Sequence, residues 1–377
     1  MSACDSQEAV RRRPFGRLRA ALAVAVVTAS TAVAPVVPAA ATPRPQEDTP
    51  ASDRAYVANT TARTLSFLDT DDRTVTHTVA VPSGAADVGV SWRVHRAYVT
   101  GGSGSHTVSV VDTERARVVG TIRVGDRPEG IAVSRDGRRA YVANADSGTV
   151  SVIDTGRNRV LRTVRVGAFP RGVAVSPDGK HVYVANLLSG SVSVIAAAPG
   201  RVVATVPLGT GTAAYDVAVS PDGRLAYVST GNGTEYVSVI DTRAATVLDA
   251  VPVEAGAESL AVSPDGGSVY VSSGFGNDEV SVIDTEVGTV ARSFRVPGGA
   301  EGLALGYEGR QMYVATGLGS RSAVYVDTET DRVMGTTTVG TGPMSVAAES
   351  EPEPVDTRAG TGRRIHWKTG QKPAAAR

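Results

Sequence analysis

The sequence predicts an all-β protein, a seven-bladed β-propeller of four-stranded blades whose first blade is completed by the C-terminal strand. Three observations carry this. Tyr-Val followed by two small or polar residues recurs at Tyr56, Tyr98, Tyr141, Tyr183, Tyr227, Tyr270 and Tyr313, in steps of 42, 43, 42, 44, 43 and 43 residues. Such a period is that of propeller blades. Val-Ser-Val-Ile or Val-Ser-Val-Val follows at Val108, Val150, Val192, Val237 and Val280, with looser copies at 65–68 and 323–326. Finally, the repeats begin and end out of phase. Tyr56 opens on a second strand, and the missing first strand stands at the far end as Pro343-Met344-Ser345-Val346-Ala347. Pairing those ends closes the ring and removes an open edge.

One unit shows why each element forms. Residues 130–134 are a short apolar strand, and Arg135-Asp136-Gly137 turns the chain. Residues 140–144 form the second strand, Asp146-Ser147-Gly148 the next turn, and residues 149–153 the third strand. Residues 159–166 form the outermost strand, where Arg159, Arg162 and Arg165 blunt an exposed edge. β-Branched runs bounded by Gly, Asp, Asn and Pro are strand and turn signals, and no sustained helical period interrupts them. Ser-Pro-Asp-Gly at Ser176, Ser220 and Ser263 is turn chemistry: Pro presets φ, and Gly relieves the strain after it.

These tetrads resemble the YVTN-repeat, YncE-like seven-bladed β-propeller family over residues 53–349. The resemblance implies an exported, mostly non-catalytic propeller whose ligands are largely unknown.

The rest of the chain divides around the repeats. Residues 1–41 read as a signal peptide: Arg11-Arg12-Arg13 and neighbours, an apolar run from Ala20, then Ala39-Ala40-Ala41. Residues 42–52 read as a flexible leader and 350–377 as a disordered basic tail. Cleavage removes five Arg, Asp5, Glu8 and the lone Cys4, leaving 33 basic and 36 acidic residues. No disulfide or thiolate chemistry remains. That charge balance argues against nucleic acid as a partner. The mature chain has no apolar run long enough to span a membrane. The expected product is an exported monomer acting on an unidentified protein or a small polar ligand.

The repeat also separates scaffold from site. Asp69, Asp112, Asp154, Asp241, Asp284 and Asp327 end third strands and read as turn caps, and Ala196 replaces the seventh. The approach to the first strand behaves differently. One position holds Ala86, Glu129, Arg171, Tyr215, Glu258, Glu301 and Met344, and the next holds Asp87, Gly130, Gly172, Asp216, Ser259, Gly302 and Ser345. Nearby loops add Arg127, Phe169, Asn144, Asp146, Asn232, Glu235, Phe275, Asn277 and Asp278. In a propeller this approach lies at the mouth of the central channel. The candidate ligand site is therefore Glu129, Phe169, Arg171, Tyr215, Asp216, Glu258, Phe275 and Glu301. The glutamates would hold a cation, Ca²⁺ or Mg²⁺, or accept hydrogen bonds. Arg171 would meet a carboxylate or phosphate, and the aromatic rings would stack on a sugar. The bland alternative is a solvated rim in which Arg127 and Arg171 neutralise those carboxylates.

Catalysis is harder to find. A haem propeller needs an axial ligand near the channel, and none of His77, His95, His106, His181 and His366 falls in a first strand or its approach. Zinc hydrolysis needs clustered His, Cys or carboxylate ligands. The reading is a binding module without a cofactor. A metal-assisted lactonase or lyase at the same mouth is the alternative, with a crowded carboxyl as proton donor.

Overall fold

The computed structural model describes residues 54–349, except 232–234, 254–255, 275 and 307. The predicted signal peptide, leader and tail lie outside these residues, as does Phe275. Seven antiparallel four-stranded sheets form a ring, each a blade. Blade 1 contains Arg54–Asn59, Thr64–Asp69 and Thr74–Ala80, with Pro343–Glu349 as its innermost strand. The innermost strands of blades 2 to 7 are Val88–Ser91, Pro128–Val133, Pro170–Val175, Ala213–Val219, Leu260–Val262 and Gly302–Leu305. The closing strand pairs in register with the first, Ala55 facing Ala348 and Val57 facing Val346. No described helix is long and apolar enough to cross a membrane.

The core lies between blades. Tyr98, Val108 and Val110 of blade 2 pack on Ile131, Ala140, Val142 and Ile153 of blade 3. The same arrangement recurs around the ring. Second and third strands are buried on both faces, so they carry small or apolar residues throughout. The outermost strands are exposed along most of their length. The third-strand aspartates cap turns: Asp241 Oδ1 accepts the N–H groups of Arg243 and Ala244, each at 2.8 Å. In blade 4 the turn survives without the carboxylate, because the Gly200 N–H donates to the Ala196 carbonyl at 2.8 Å. Beside it, Ala197 and Ala198 border a second cavity of about 550 Å³ that reaches Tyr141, Leu161 and Arg162.

The tetrad tyrosines differ in what their hydroxyls reach. Tyr98 Oη lies 3.0 Å from the Thr155 carbonyl and 2.9 Å from Asn158 Oδ1, stitching blade 2 to blade 3. Tyr227 Oη is buried without a hydrogen-bond partner among the described residues. Replacing Tyr98 by Phe should therefore cost about 1 kcal/mol, whereas Tyr227→Phe should be neutral or slightly stabilising. Urea unfolding of the two variants checks this, and equal losses would show that the cross-blade hydroxyl is not a stitch.

Candidate functional site

Small irregularities in the inner strands build the mouth. The register shifts between Pro128 and Ile131, between Pro170 and Val173, and between Ala214 and Val217. These shifts span Glu129-Gly130, Arg171-Gly172 and Tyr215-Asp216. A bulge bends its strand and re-aims side chains. In blades 6 and 7, Glu258 and Glu301 precede the strand, and their N–H groups bond the carbonyls of Ser272 at 2.8 Å and Ala315 at 2.9 Å.

The small residues one place along have a packing reason. A Cβ on Gly130 would lie 2.1 Å from the Arg171 carbonyl oxygen, and one on Gly172 would lie 2.5 Å from Asp216 Cα. Neighbouring inner strands touch there, so only glycine fits. The closeness carries Glu129, Arg171 and Tyr215 to the mouth on adjacent blades.

All seven blades contribute to one cavity of about 570 Å³. Its lining includes Ala86, Glu129, Arg171, Tyr215, Glu258, Glu301 and Met344, the complete variable position identified in the sequence. Asp87 and Asp216 line it too. Phe169 does not; its ring lies at the rim under the Arg127 guanidinium, 4.7 Å from centroid to carbon. Arg63 and Leu318 are lining residues that the sequence does not single out. Both sit in loops between second and third strands, and comparing those loops between blades would have exposed Arg63.

The charges are organised. Arg127 Nε donates to Glu129 Oε1 at 2.7 Å. Arg171 reaches from blade 4 to pair with Glu258 of blade 6, passing over Tyr215 of blade 5 at 5.2 Å from the ring centroid. Burial works against the Arg171 charge, and Glu258, joined by the fields of Glu129 and Asp216, outweighs it, so its basicity is raised. Glu258 is only 7 % exposed, and its Oε2 is buried without a hydrogen-bond partner. Burial, then the field of Glu258, raises the carboxyl pKa of Glu235. Burial followed by Glu258 and Glu235 does the same to the Tyr215 hydroxyl. The neutralised rim that the sequence allows is thus present on two sides. It encloses a cavity all the same.

Deeper, two aspartates cross-link the inner strands. Asp87 accepts the N–H groups of Val88 and of Ile131 in the next blade, each at 2.8 Å, and the Ser345 hydroxyl of blade 1. Asp216 accepts from Val217 at 2.8 Å, from Leu260 of blade 6 at 3.1 Å and from the Ser259 hydroxyl at 3.2 Å. Desolvation by the surrounding protein pushes the Asp216 carboxyl up to about 6 and raises that of Asp87. Asn144 belongs to the scaffold: its amide bonds Thr149 Oγ1 and Ser151 Oγ at 3.0 Å each, and its oxygen accepts the Gly125 N–H. Asn186 repeats the clamp in blade 4.

Comparisons with known proteins bear on the fold. A model of the Cytochrome D1 heme domain family matches residues 97–217, a minority of the chain. Hydrazine synthase of Kuenenia stuttgartiensis is 24% identical with a TM-score of 0.62, covering 72% of this chain and 91% of that one. The dihydro-heme d1 dehydrogenase NirN, solved in complex with DHE, is 18% identical with a TM-score of 0.56, covering 80% and 76%. A candidate 6-phosphogluconolactonase from Bacteroides uniformis is 17% identical with a TM-score of 0.65, covering 79% and 100%. The search of curated proteins found no match. At these identities the structural likeness is one of fold.

The haem implied by the matched family can be tested against the donors. Haem iron takes axial His, Cys, Met or Tyr. None of the described histidines lines the cavity. Of the other types, Tyr215 and Met344 do. Tyr215 carries Arg171 on its ring, and burial disfavours its phenolate. The lining does not fit a histidine-held haem. Among the described residues, no group of three or more His, Cys, Asp or Glu could hold a metal ion.

Proposed function

We propose that this chain is an exported, non-catalytic β-propeller that binds a small polar ligand, free or presented by a protein partner, in the channel-mouth cavity. One observation carries the reading. The inner-strand position at which the blades differ converges on a single cavity lined by all seven blades. Concave sites with a few placed polar groups are where ligands bind. Export rests on the basic–apolar–small pattern of residues 1–41 and on the resemblance to YVTN-repeat proteins.

A second reading, opening of a lactone, has one observation in its favour. The Asp216 carboxyl, held at about 6, lines the cavity and is a proton donor matched to mildly acidic pH. Both of its oxygens already accept backbone N–H bonds, which favours a structural role.

The test is calorimetric titration of the full chain with sugars, sugar acids, amines, divalent cations and lactones, with lactone hydrolysis followed in parallel. Saturable binding without turnover is the expected result. Hydrolysis lost in Asp216→Asn would replace the binding reading with the lactonase one.

A further inference from the structure

We infer that the channel-mouth cavity recognises an organic cation, a ligand presenting a primary ammonium or guanidinium group. The inference rests on the binding reading above and names the class of its ligand. Five carboxylates line the cavity, those of Asp87, Glu129, Asp216, Glu258 and Glu301, against the guanidiniums of Arg63 and Arg171 in the lining and of Arg127, which pairs with Glu129 from outside it. A concave, low-dielectric site with excess negative charge concentrates cations.

Arg171 is the group that would attract an anion, and it is already engaged. Its guanidinium pairs with Glu258 and lies over the Tyr215 ring. An anion would have to break a pair whose carboxylate is 7 % exposed, stranding Glu258. Losing one partner of a buried pair is strongly unfavourable.

Glu258 supplies the second, independent observation. Its Oε2 is buried and accepts no hydrogen bond, although buried carboxylate oxygens ordinarily do. An ammonium or guanidinium brings the missing N–H donors once the Glu258 carboxylate turns this oxygen toward the cavity. A bare metal ion is a poorer match, because no three described ligand groups converge. Leu318 and Met344 offer apolar lining for an alkyl stem.

The experiment is isothermal titration of the full chain at low and moderate salt. Agmatine and 1,5-diaminopentane are the free cations, and Gly-Arg-Gly and Gly-Lys-Gly amides present the same groups on a peptide. Gluconate, inorganic phosphate and Ca²⁺ complete the set. Saturable binding of a free cation, weakened by salt, is the expected result. Binding of the peptides alone also supports the inference and makes the source a basic side chain. Glu258→Gln should weaken the cation about tenfold to a hundredfold and, by freeing Arg171, let gluconate or phosphate bind. Glu129→Gln, whose carboxylate is at the rim, should weaken the cation a few-fold with an unchanged near-UV spectrum, and keeps the test open if Glu258→Gln misfolds. Anion or Ca²⁺ binding by the unmodified chain, without cation binding, would overturn the ligand class and leave the mouth as a site. Silence across the whole set would overturn the ligand class, and only silence toward the sugars and lactones of the wider titration as well would overturn the binding reading.

Discussion

Ending the chain at Gly342 should abolish the folded monomer. Pro343–Glu349 is the innermost strand of blade 1, and it packs against the inner strands of both neighbouring blades. Its removal bares the edge of Arg54–Asn59, where Val57 and Ala55 are fully buried beside Val346 and Ala348. Val346 is lost outright, and exposing one such apolar side chain costs about 1.5–3 kcal/mol. The ladder N–H and C=O groups of the strand left behind lose their partners, at about 1–3 kcal/mol for each that stays buried. Asp87 loses the Ser345 hydroxyl, and Tyr56 loses Glu349. The freed chain recovers some conformational entropy, yet the sum is comparable with the whole stability of an ordinary domain, about 5–15 kcal/mol. A chain ending at Glu349, which keeps every described strand, is the control. Thermal melts followed by circular dichroism should show a cooperative transition for the control and none for the shorter chain. Adding the peptide 343–349 in trans should restore part of it, because an exposed sheet edge accepts a matching strand. An unchanged melt in the shorter chain would mean that closure contributes nothing to stability.

The closure is legible because it rests on local signals that repeat. Pro343-Met344-Ser345 aligns with Pro128-Glu129-Gly130, and register alone then demands the pairing with Arg54–Asn59. The aspartate caps are legible for the same reason: each makes its bonds within three residues, as Asp69 does with Asp71 and Asp72. The membership of the mouth is visible as disagreement between otherwise matching blades. Its wiring is not. Arg171 finds Glu258 across an intervening blade, 87 positions away, and only closure of the ring sets that approach. By sequence Arg171 is open either to a ligand's anion or to an unspecified rim carboxylate, and the fold gives it to Glu258. Phe169 and Tyr215 look like free stacking platforms, yet each has an arginine over its ring. Asn144 looks like a mouth residue because it ends the second strand beside the loop. Its partners Thr149 and Ser151 lie across the hairpin, and only their positions show that the amide is fully used.

Asp216 should make the protein less stable at neutral pH than at pH 4. Its folded carboxyl is held at about 6, above the ordinary value of 3.8, chiefly by desolvation within the ring. The N–H bonds from Val217 and Leu260 pull the other way, and the negative charge of Asp87 adds to the rise. A group whose pKa is raised on folding stabilises most fully below its unfolded value. That contribution is lost as pH climbs through the folded one, here between about 4 and 6. A rise of that size corresponds to about 3 kcal/mol at most, reduced because Asp216 touches the cavity and its water screens the charge. The turn aspartates act oppositely. The Ser176 hydroxyl and the Lys180 N–H lower the Asp178 carboxyl, and Thr330 lowers that of Asp327, so their contributions are present above about 4 and fade in acid. The whole-protein profile therefore mixes both signs, and the Asp216 component must be isolated by difference. Asp216→Asn removes the titration while keeping an oxygen to accept the Val217 N–H; its amide nitrogen cannot accept from Leu260. The stability difference, unmodified chain minus variant, should fall by about 1–3 kcal/mol between pH 4 and pH 7. Urea midpoints at half-unit intervals measure it directly. A flat difference would mean that Asp216 stays ionised over this range, and would also remove the one observation that favours a proton donor at the cavity floor.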